Sequence, residues 1–272
     1  MTRIGKLFEK LKEQKRCGMI AYLTAGDPSP AATPALVAAL ERGGADLIEL
    51  GVPFSDPIAD GPVIQQAGDR ALRAGTTLAR VLQMAIEIRK KSEIPLLLFT
   101  YLNPALKYGF EKLAHDARAA GIDGCLLTDV SVEEAEEYVR VMREADLDTV
   151  FLAAPTSTDE RLELIARYSS GFVYLVSRTG ITGVQDNIAD SALPLVQRMR
   201  AHTHLPIAMG FGISKPEHVA ALSGMVEAVV VGSAIVRQIE KDSSKLEMFM
   251  RELSLPLAVC TPPSQLNKGA IS

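Results

Sequence analysis

Leu96-Leu97-Leu98-Phe99-Thr100-Tyr101 is an almost unbroken apolar run of strand length. A strand with one wet face alternates apolar and polar residues, whereas a parallel strand covered on both faces does not. Seven further runs of this kind lie at 19–23, 46–50, 125–127, 149–153, 172–176, 207–209 and 228–231. The segments between them, such as 131–145, 158–170 and 188–201, carry helical spacing with Ser, Thr or Asp near their starts. Eight β/α units in series predict a (β/α)8 barrel, with a doubly wound open sheet as the alternative that the same pattern allows.

Outward from the third run, the longest gap separates Leu50 from Leu96 and leaves room for a loop and two helices. A second wide gap follows the sixth run. Insertions after strands two and six are therefore expected, both over the mouth of the barrel. Ahead of the first run, residues 1–10 read as a charged amphipathic helix, one more than eight units need. We expect a single catalytic barrel over 1–253 and a C-terminal tail over 254–272, with Pro256, Pro262 and Pro263, that hangs flexibly off it.

The chain has 272 residues and a net charge of −4, with a pI near 5.7. Its basic residues are scattered, which argues against nucleic acid or an anionic membrane as a partner and for small-molecule chemistry. Cys17, Cys125 and Cys260 are odd in number and far apart, which suits a reducing compartment, with the cytoplasm as the default. The N-terminal helix lacks a signal-peptide core, and no stretch reaches membrane-spanning length.

In a barrel the chemistry belongs at the C-terminal ends of the strands. The second run ends in Glu49-Leu50-Gly51-Val52-Pro53-Phe54-Ser55-Asp56-Pro57-Ile58-Ala59-Asp60-Gly61-Pro62. Glu49 ends an apolar strand and Asp60 ends a loop stiffened by proline and specialised by glycine, which is acid/base equipment. Taken alone, the pair is equally readable as a capped strand-end glutamate and a solvated loop aspartate. Gly210, Gly212 and Gly232-Ser233, with Gly183, favour a phosphate cradle over ordinary strand-to-helix turns, because glycines admit an anion to backbone N–H groups and Ser233 opens a helix.

Other candidates are weaker. His202 and His204 precede the seventh run on the face away from the strand ends, and His115 and His218 lie in helical stretches, so no histidine cluster suits a metal. Glu133, Glu134, Glu136 and Glu137 open a helix and read as a solvated face. No Ser or Cys has a base beside it, and no lysine ends a strand as a Schiff-base aldolase would need.

The strand ends taken together resemble a known family. The stretch from Glu49 to Gln65, Tyr22-Leu23-Thr24-Ala25-Gly26-Asp27-Pro28, Tyr101-Leu102-Asn103-Pro104, Ser177-Arg178-Thr179-Gly180-Ile181-Thr182-Gly183 and Gly210-Phe211-Gly212-Ile213-Ser214 are similar, in order, to the tryptophan synthase α subunit, from about residue 6 to about residue 251. The chain departs from it at Thr128-Asp129-Val130-Ser131, where the family often has Pro-Asp-Leu-Pro, and in the tail after Leu253.

The resemblance implies a lyase that cleaves indole-3-glycerol phosphate to indole and glyceraldehyde 3-phosphate, a retro-aldol step of tryptophan biosynthesis. It implies no cofactor in this chain, with pyridoxal phosphate confined to a partner β subunit in an α2β2 heterotetramer. Glu49 matches the acid/base, Asp60 the carboxylate facing the indole N–H, and Tyr174 a hydroxyl near the scissile bond. Tyr22, Phe99, Leu126, Leu152 and Phe211 match the indole pocket, and Tyr101 is a further substrate-binding position. Thr182 and Gly183 fall in the family's mobile loop, where the threonine orients Asp60, and Gly212, Gly232 and Ser233 match its phosphate site. Pro53, Asp56, Asn103 and Pro104 match positions facing the β subunit. The alternatives are a free-standing lyase with the same chemistry and a catalytically silent barrel that activates its partner; survival of both acids and the phosphate site disfavours the latter.

Overall fold

A computed structural model describes residues 1–176, 188–210 and 212–259. The strands are β1 (Gly18–Thr24), β2 (Leu47–Gly51), β3 (Leu96–Thr100), β4 (Gly124–Leu127), β5 (Asp148–Val150), β6 (Leu152–Ala153), β7 (Val173–Val176), β8 (Ile207–Gly210) and β9 (Ala228–Val231). The helices are α1 (Arg3–Glu13), α2 (Thr33–Arg42), α3 (Pro62–Arg73), α4 (Leu78–Arg89), α5 (Leu102–Tyr108) and α6 (Phe110–Ala119), then α7 (Glu136–Glu144), α8 (Asp159–Tyr168), α9 (Ile188–His202), α10 (Pro216–Ser223), α11 (Ser233–Asp242) and α12 (Leu246–Ser254).

All strand pairs are parallel, and β9 pairs with β1, so the sheet curls into a barrel rather than the open sheet held as the alternative. The fifth apolar run is two short strands rather than one. β5 pairs with β4 and β6 with β7, with Phe151 between them, whose carbonyl accepts the N–H of Tyr174 at 3.1 Å. The chain thus hands itself from one neighbour to the other at this residue and closes the ring.

Each strand feeds two cores, which is why its sequence does not alternate. Met19, Ala21 and Leu23 of β1 face outward into the layer beneath the helices. Ile20 faces inward with Leu47, Leu97, Leu126, Phe172 and Ala208, and α1 closes that interior by inserting Ile4, Phe8 and Leu11. These three recur at helical spacing, one face of the expected extra helix, and the Phe8 and Phe172 rings lie 5.6 Å apart. Burying Phe8 alone is worth about 2–3 kcal/mol.

The gap after β2 holds the expected two helices. α4 packs in the outer ring against α2, while α3 lies against β1 and α11 and buries Ala67 with Tyr22 and Val236. Packing also continues past the expected domain end at 253: Leu255–Val259 form a 3-10 turn in which Leu257 is 2 % exposed and joins the main core. An apolar residue here contacts α10 and α12, so the tail is not free from 254 onward. Residues 260–272 lie outside the described residues.

Candidate active site

Glu49 is the third residue of the inward-facing end of β2, level with Tyr22 of β1 and Leu97 of β3. It is 1 % exposed, and its Oε1 has no hydrogen-bond partner among the described residues. Desolvation with no compensating cation disfavours the anion and pushes this carboxyl up to about 8. At neutral pH Glu49 is therefore mainly protonated, a proton donor held in an apolar wall.

Two phenols flank it. Tyr22 and Tyr174 both point into the barrel top, and burial raises both of their pKa values, with nearby Asp60 adding to the effect at Tyr22 and Glu49 to the effect at Tyr174. Both remain neutral hydroxyls. Their room is supplied by glycine: a Cβ at Gly51 would fall 2.2 Å from the Tyr22 hydroxyl, and one at Gly210 would fall 2.6 Å from that of Tyr174. Gly210, read from sequence as part of the cradle, is thus already required by a tyrosine. The Tyr22 hydroxyl has one long contact, 3.4 Å to Thr24 Oγ1, and its ring meets Phe99 edge-on at 5.3 Å. Leu126 is fully buried and Leu152 half-buried in the same inner layer as Phe99 and Tyr174. These side chains form an apolar cup around one buried acid.

Asp60 is half-buried at the end of the loop between β2 and α3. Its carboxyl is raised by burial, an effect opposed by a hydrogen bond from the Tyr101 side chain. The same hydroxyl accepts the N–H of Ala59 at 3.1 Å, and the Tyr101 ring stacks obliquely on Phe54 at 5.2 Å. Tyr101, a substrate-binding candidate in the sequence, holds the acid-bearing loop through three contacts. On the other side, Gln65 Nε2 donates to the Asp60 carbonyl at 2.8 Å, and the Asp60 N–H donates to Pro57 O at 3.1 Å. The loop is built, not merely stiff.

The departing loop after β4 is also held, by hydrogen bonds in place of prolines. Thr128 donates its N–H to Thr100 O at 2.9 Å, Asp129 accepts the N–H of Leu102 at 2.6 Å at the start of α5, and Ser131 donates to Glu133. Asp129 thereby caps the helix that follows Tyr101.

At the cradle, Gly232 precedes α11 and Ser233 is its first residue. Gly212 has φ of +64° with open space around the position of a Cβ. A Cβ at Gly232 would meet Tyr22 only at ordinary contact distance, 3.5 Å, so packing does not require glycine there. No capping side-chain hydrogen bond is made at the Gly232 start of α11, an arrangement that suits an anion at its first backbone N–H groups. Phe211, Thr182 and Gly183 lie outside the described residues.

Histidines do not converge, and no group of His, Cys, Asp or Glu among the described residues suits a metal. No helix among them is long and apolar enough to cross a membrane.

This geometry has close relatives. A family model described as tryptophan synthase alpha chain matches residues 8–258. The chain is 68 % identical over 259 residues to a tryptophan synthase alpha chain of Solibacter usitatus, with 93 % of this chain and 97 % of that protein covered. It is 46 % identical over 245 residues to one of Geotalea daltonii, covering 90 % and 93 %. It matches the solved tryptophan synthase subunit alpha of Legionella pneumophila with a TM-score of 0.89 and 35 % identity, over 94 % of this chain and 98 % of that one. A tryptophan synthase structure from M. tuberculosis matches at a TM-score of 0.88 and 33 % identity, over 95 % and 99 %. With its barrel, its buried strand acid and its held loop acid, the chain belongs to the tryptophan synthase alpha chain family.

Proposed function

We propose that this chain cleaves indole-3-glycerol phosphate to indole and glyceraldehyde 3-phosphate. The observation that carries the reading is Glu49, a buried carboxyl protonated at neutral pH and facing an apolar cup, with a second carboxylate on the loop above it. Protonated Glu49 delivers its proton to indole C3, and the ring becomes an iminium cation. Asp60 faces the indole N–H and stabilises that charge. The Glu49 carboxylate then takes the proton of the glycerol hydroxyl next to C3. As that O–H bond breaks, a C=O bond forms, the C–C bond to the ring breaks, and its electron pair restores the neutral indole. Glu49 ends protonated, as it began, so atoms and electrons balance with no group beyond these side chains. Tyr174 stands near the bond that breaks, and the phosphate sits on Gly212, Gly232 and Ser233, with Thr182, Gly183 and Phe211 completing the site.

The reading extends to a pyridoxal-phosphate β subunit in a cytoplasmic α2β2 assembly. It is supported by the loop after β2 and by α5 after β3, where Asp56 and Asn103 are exposed and two large apolar side chains, Ile58 and Leu106, are 75 % and 54 % exposed. Pro104 is half-buried and Pro53 buried, so Pro53 acts by shaping the loop, not by touching a partner. Because Asp60 shares that loop, docking biases the position of a reacting group.

The test is indole release from indole-3-glycerol phosphate by the purified chain, across a titration with its β subunit. Slow release alone and strong stimulation by the partner are expected. No release under any condition overturns the activity. Full release without the partner, unchanged on adding it, overturns the partner coupling and leaves a free-standing lyase.

A further inference from the structure

α3 and α11 start at opposite halves of the proposed site. Gly61 caps α3 one residue after Asp60, and Gly232 caps α11, which opens on Ser233. A single arginine ties the two helices together. Arg70 of α3 places Nε 2.8 Å from Asp27 Oδ1 and Nη2 2.9 Å from Asp27 Oδ2, while its Nη1 lies 2.8 Å from Glu240 Oε1 on α11. Asp27, 3 % exposed, is itself fixed to the end of β1: its N–H donates to Thr24 O at 3.2 Å, and the preceding Gly26 donates its N–H to Thr33 Oγ1 at 2.9 Å.

The proposed chemistry makes no use of these three charges. Nor does packing replace them, because the fully buried part of α3 is Ala67, Gly68 and Ala71, with Val63 and Ile64 in its first turn only partly buried. Small side chains form a shallow surface with little ridge-and-groove resistance to sliding or rotation. A bidentate guanidinium fork, by contrast, fixes both distance and angle.

We infer that the Arg70 fork on Asp27, with its outer bond to Glu240, is the positioning element that sets the separation between the Asp60 loop and the Gly232–Ser233 cradle. It does so for a ligand gripped at both ends, an indole and a phosphate. The inference rests on the substrate reading above. A ligand that occupies one half of the site is indifferent to the separation, whereas one that spans both halves is sensitive to it.

Calorimetry with three probes separates these cases: indole, glycerol 3-phosphate, and indole-3-propanol phosphate, which carries both ends without the scissile hydroxyl. Arg70→Met is expected to bind the two short probes within about twofold of the parent and the spanning probe about tenfold more weakly, since the second end no longer falls where the first has placed it. Arg70→Lys, with a point charge that cannot form the fork, is expected to recover about a third of that loss at most. Glu240 is half exposed, so Glu240→Gln leaves the fold intact and carries the same test with a loss of about threefold. Unchanged affinity for the spanning probe in Arg70→Met and Glu240→Gln overturns the positioning role, as does equal weakening of all three probes. A parent protein that binds none of the three overturns the substrate reading, and the positioning role with it.

Discussion

At the N-terminal end of the barrel, Asp46, Asp123 and Glu227 each stand one residue ahead of a strand, and each makes a two-point clamp on the strand before it. Asp46 donates its N–H to Met19 O at 2.8 Å and accepts the N–H of Met19 at 2.8 Å; Asp123 does the same to Leu96 at 2.9 and 2.9 Å, and Glu227 to Ile207 at 2.9 and 2.7 Å. Every one of these carboxylates also meets arginine: Arg16 on Asp46, Arg89 and Arg3 on Asp123, Arg200 on Glu227. Ser170 repeats the clamp on Thr149 with a hydroxyl, at 2.7 and 3.0 Å. At the C-terminal end, among the described residues, Glu49 has no cation and one orphaned oxygen, and the Asp60 carboxyl has Tyr101 as its side-chain hydrogen-bond partner. Acids thus do different work at the two ends: where arginines and strand N–H groups meet them they hold the strands in register, and at Glu49, buried without such partners among the described residues, the proton stays available.

The sharpest way to break this contrast is Glu49→Gln. Loss of about 10⁴-fold or more in indole release is expected, the upper end for a general acid/base, because one residue serves two proton transfers. The parent's kcat/KM is expected to fall above pH 8, where free Glu49 loses the proton it must donate. Stability should move the other way. The folded carboxyl is raised above its unfolded value, so its favourable contribution is complete below about pH 4.5 and is lost as pH rises to about 8. Glu49→Gln escapes that loss and should be more stable than the parent at pH 8.5, by on the order of a few kcal/mol, but not at pH 4.5. Urea melts at the two pH values check it; a constant difference, together with near-parental turnover, would place Glu49 in the same class as the clamping acids.

Asp123→Ala probes the other end. It strands Arg89, 11 % exposed, and the Leu96 N–H, so a loss of about 3–5 kcal/mol in stability is expected, with kcat per folded molecule within about twofold of the parent. Denaturant midpoints and turnover on the same preparation decide it. A catalytic deficit in fully folded Asp123→Ala would show that the clamps reach the chemistry. Asp60→Asn comes next in size: loss of the anion facing the indole N–H is expected to lower kcat by about 10²- to 10³-fold with the fold intact. A change confined to KM would make Asp60 a binding group.

The contrast was half legible in the sequence. Unbroken runs such as 96–101 show strands covered on both faces and point to the barrel, whereas Glu49, near the end of one of them, is singled out as the acid by the family resemblance and not by the local pattern alone. The clamps are not legible in the sequence, although each acid stands at or just ahead of an apolar run, because an acid there is equally a solvated loop residue until its arginine is known. Arg89 lies 34 residues from Asp123 and Arg70 lies 43 from Asp27, distances over which side-chain pairing leaves no periodic trace. The same holds for the break at Phe151, which depends on two neighbouring strands, and for Leu257, whose burial depends on α10 and α12. Tyr101 is legible as a site residue, but aromatic character says nothing of a hydroxyl that accepts an N–H 42 residues away.

That hydroxyl gives the smallest and most discriminating test. Tyr101→Phe keeps the ring on Phe54 and removes the hydroxyl's bonds to the Ala59 N–H, to Thr128 and to the Asp60 carboxylate. Losing one charge-assisted hydrogen bond to a partly buried carboxylate costs about 1.5–3 kcal/mol at most, and water admitted by the loop returns part of it, so a fall of about tenfold in kcat is expected. The sign of the pH effect follows from the same bond. It stabilises the Asp60 anion against the rise that burial imposes, so its removal raises the Asp60 pKa and moves the acid limb of kcat/KM to higher pH, while the alkaline limb set by Glu49 stays in place. A residue that merely packed the loop would lower both limbs together without moving either. A pH profile of Tyr101→Phe parallel to the parent's would therefore separate Tyr101 from Asp60 and leave the loop acid, like Glu49, held by no side chain among the described residues.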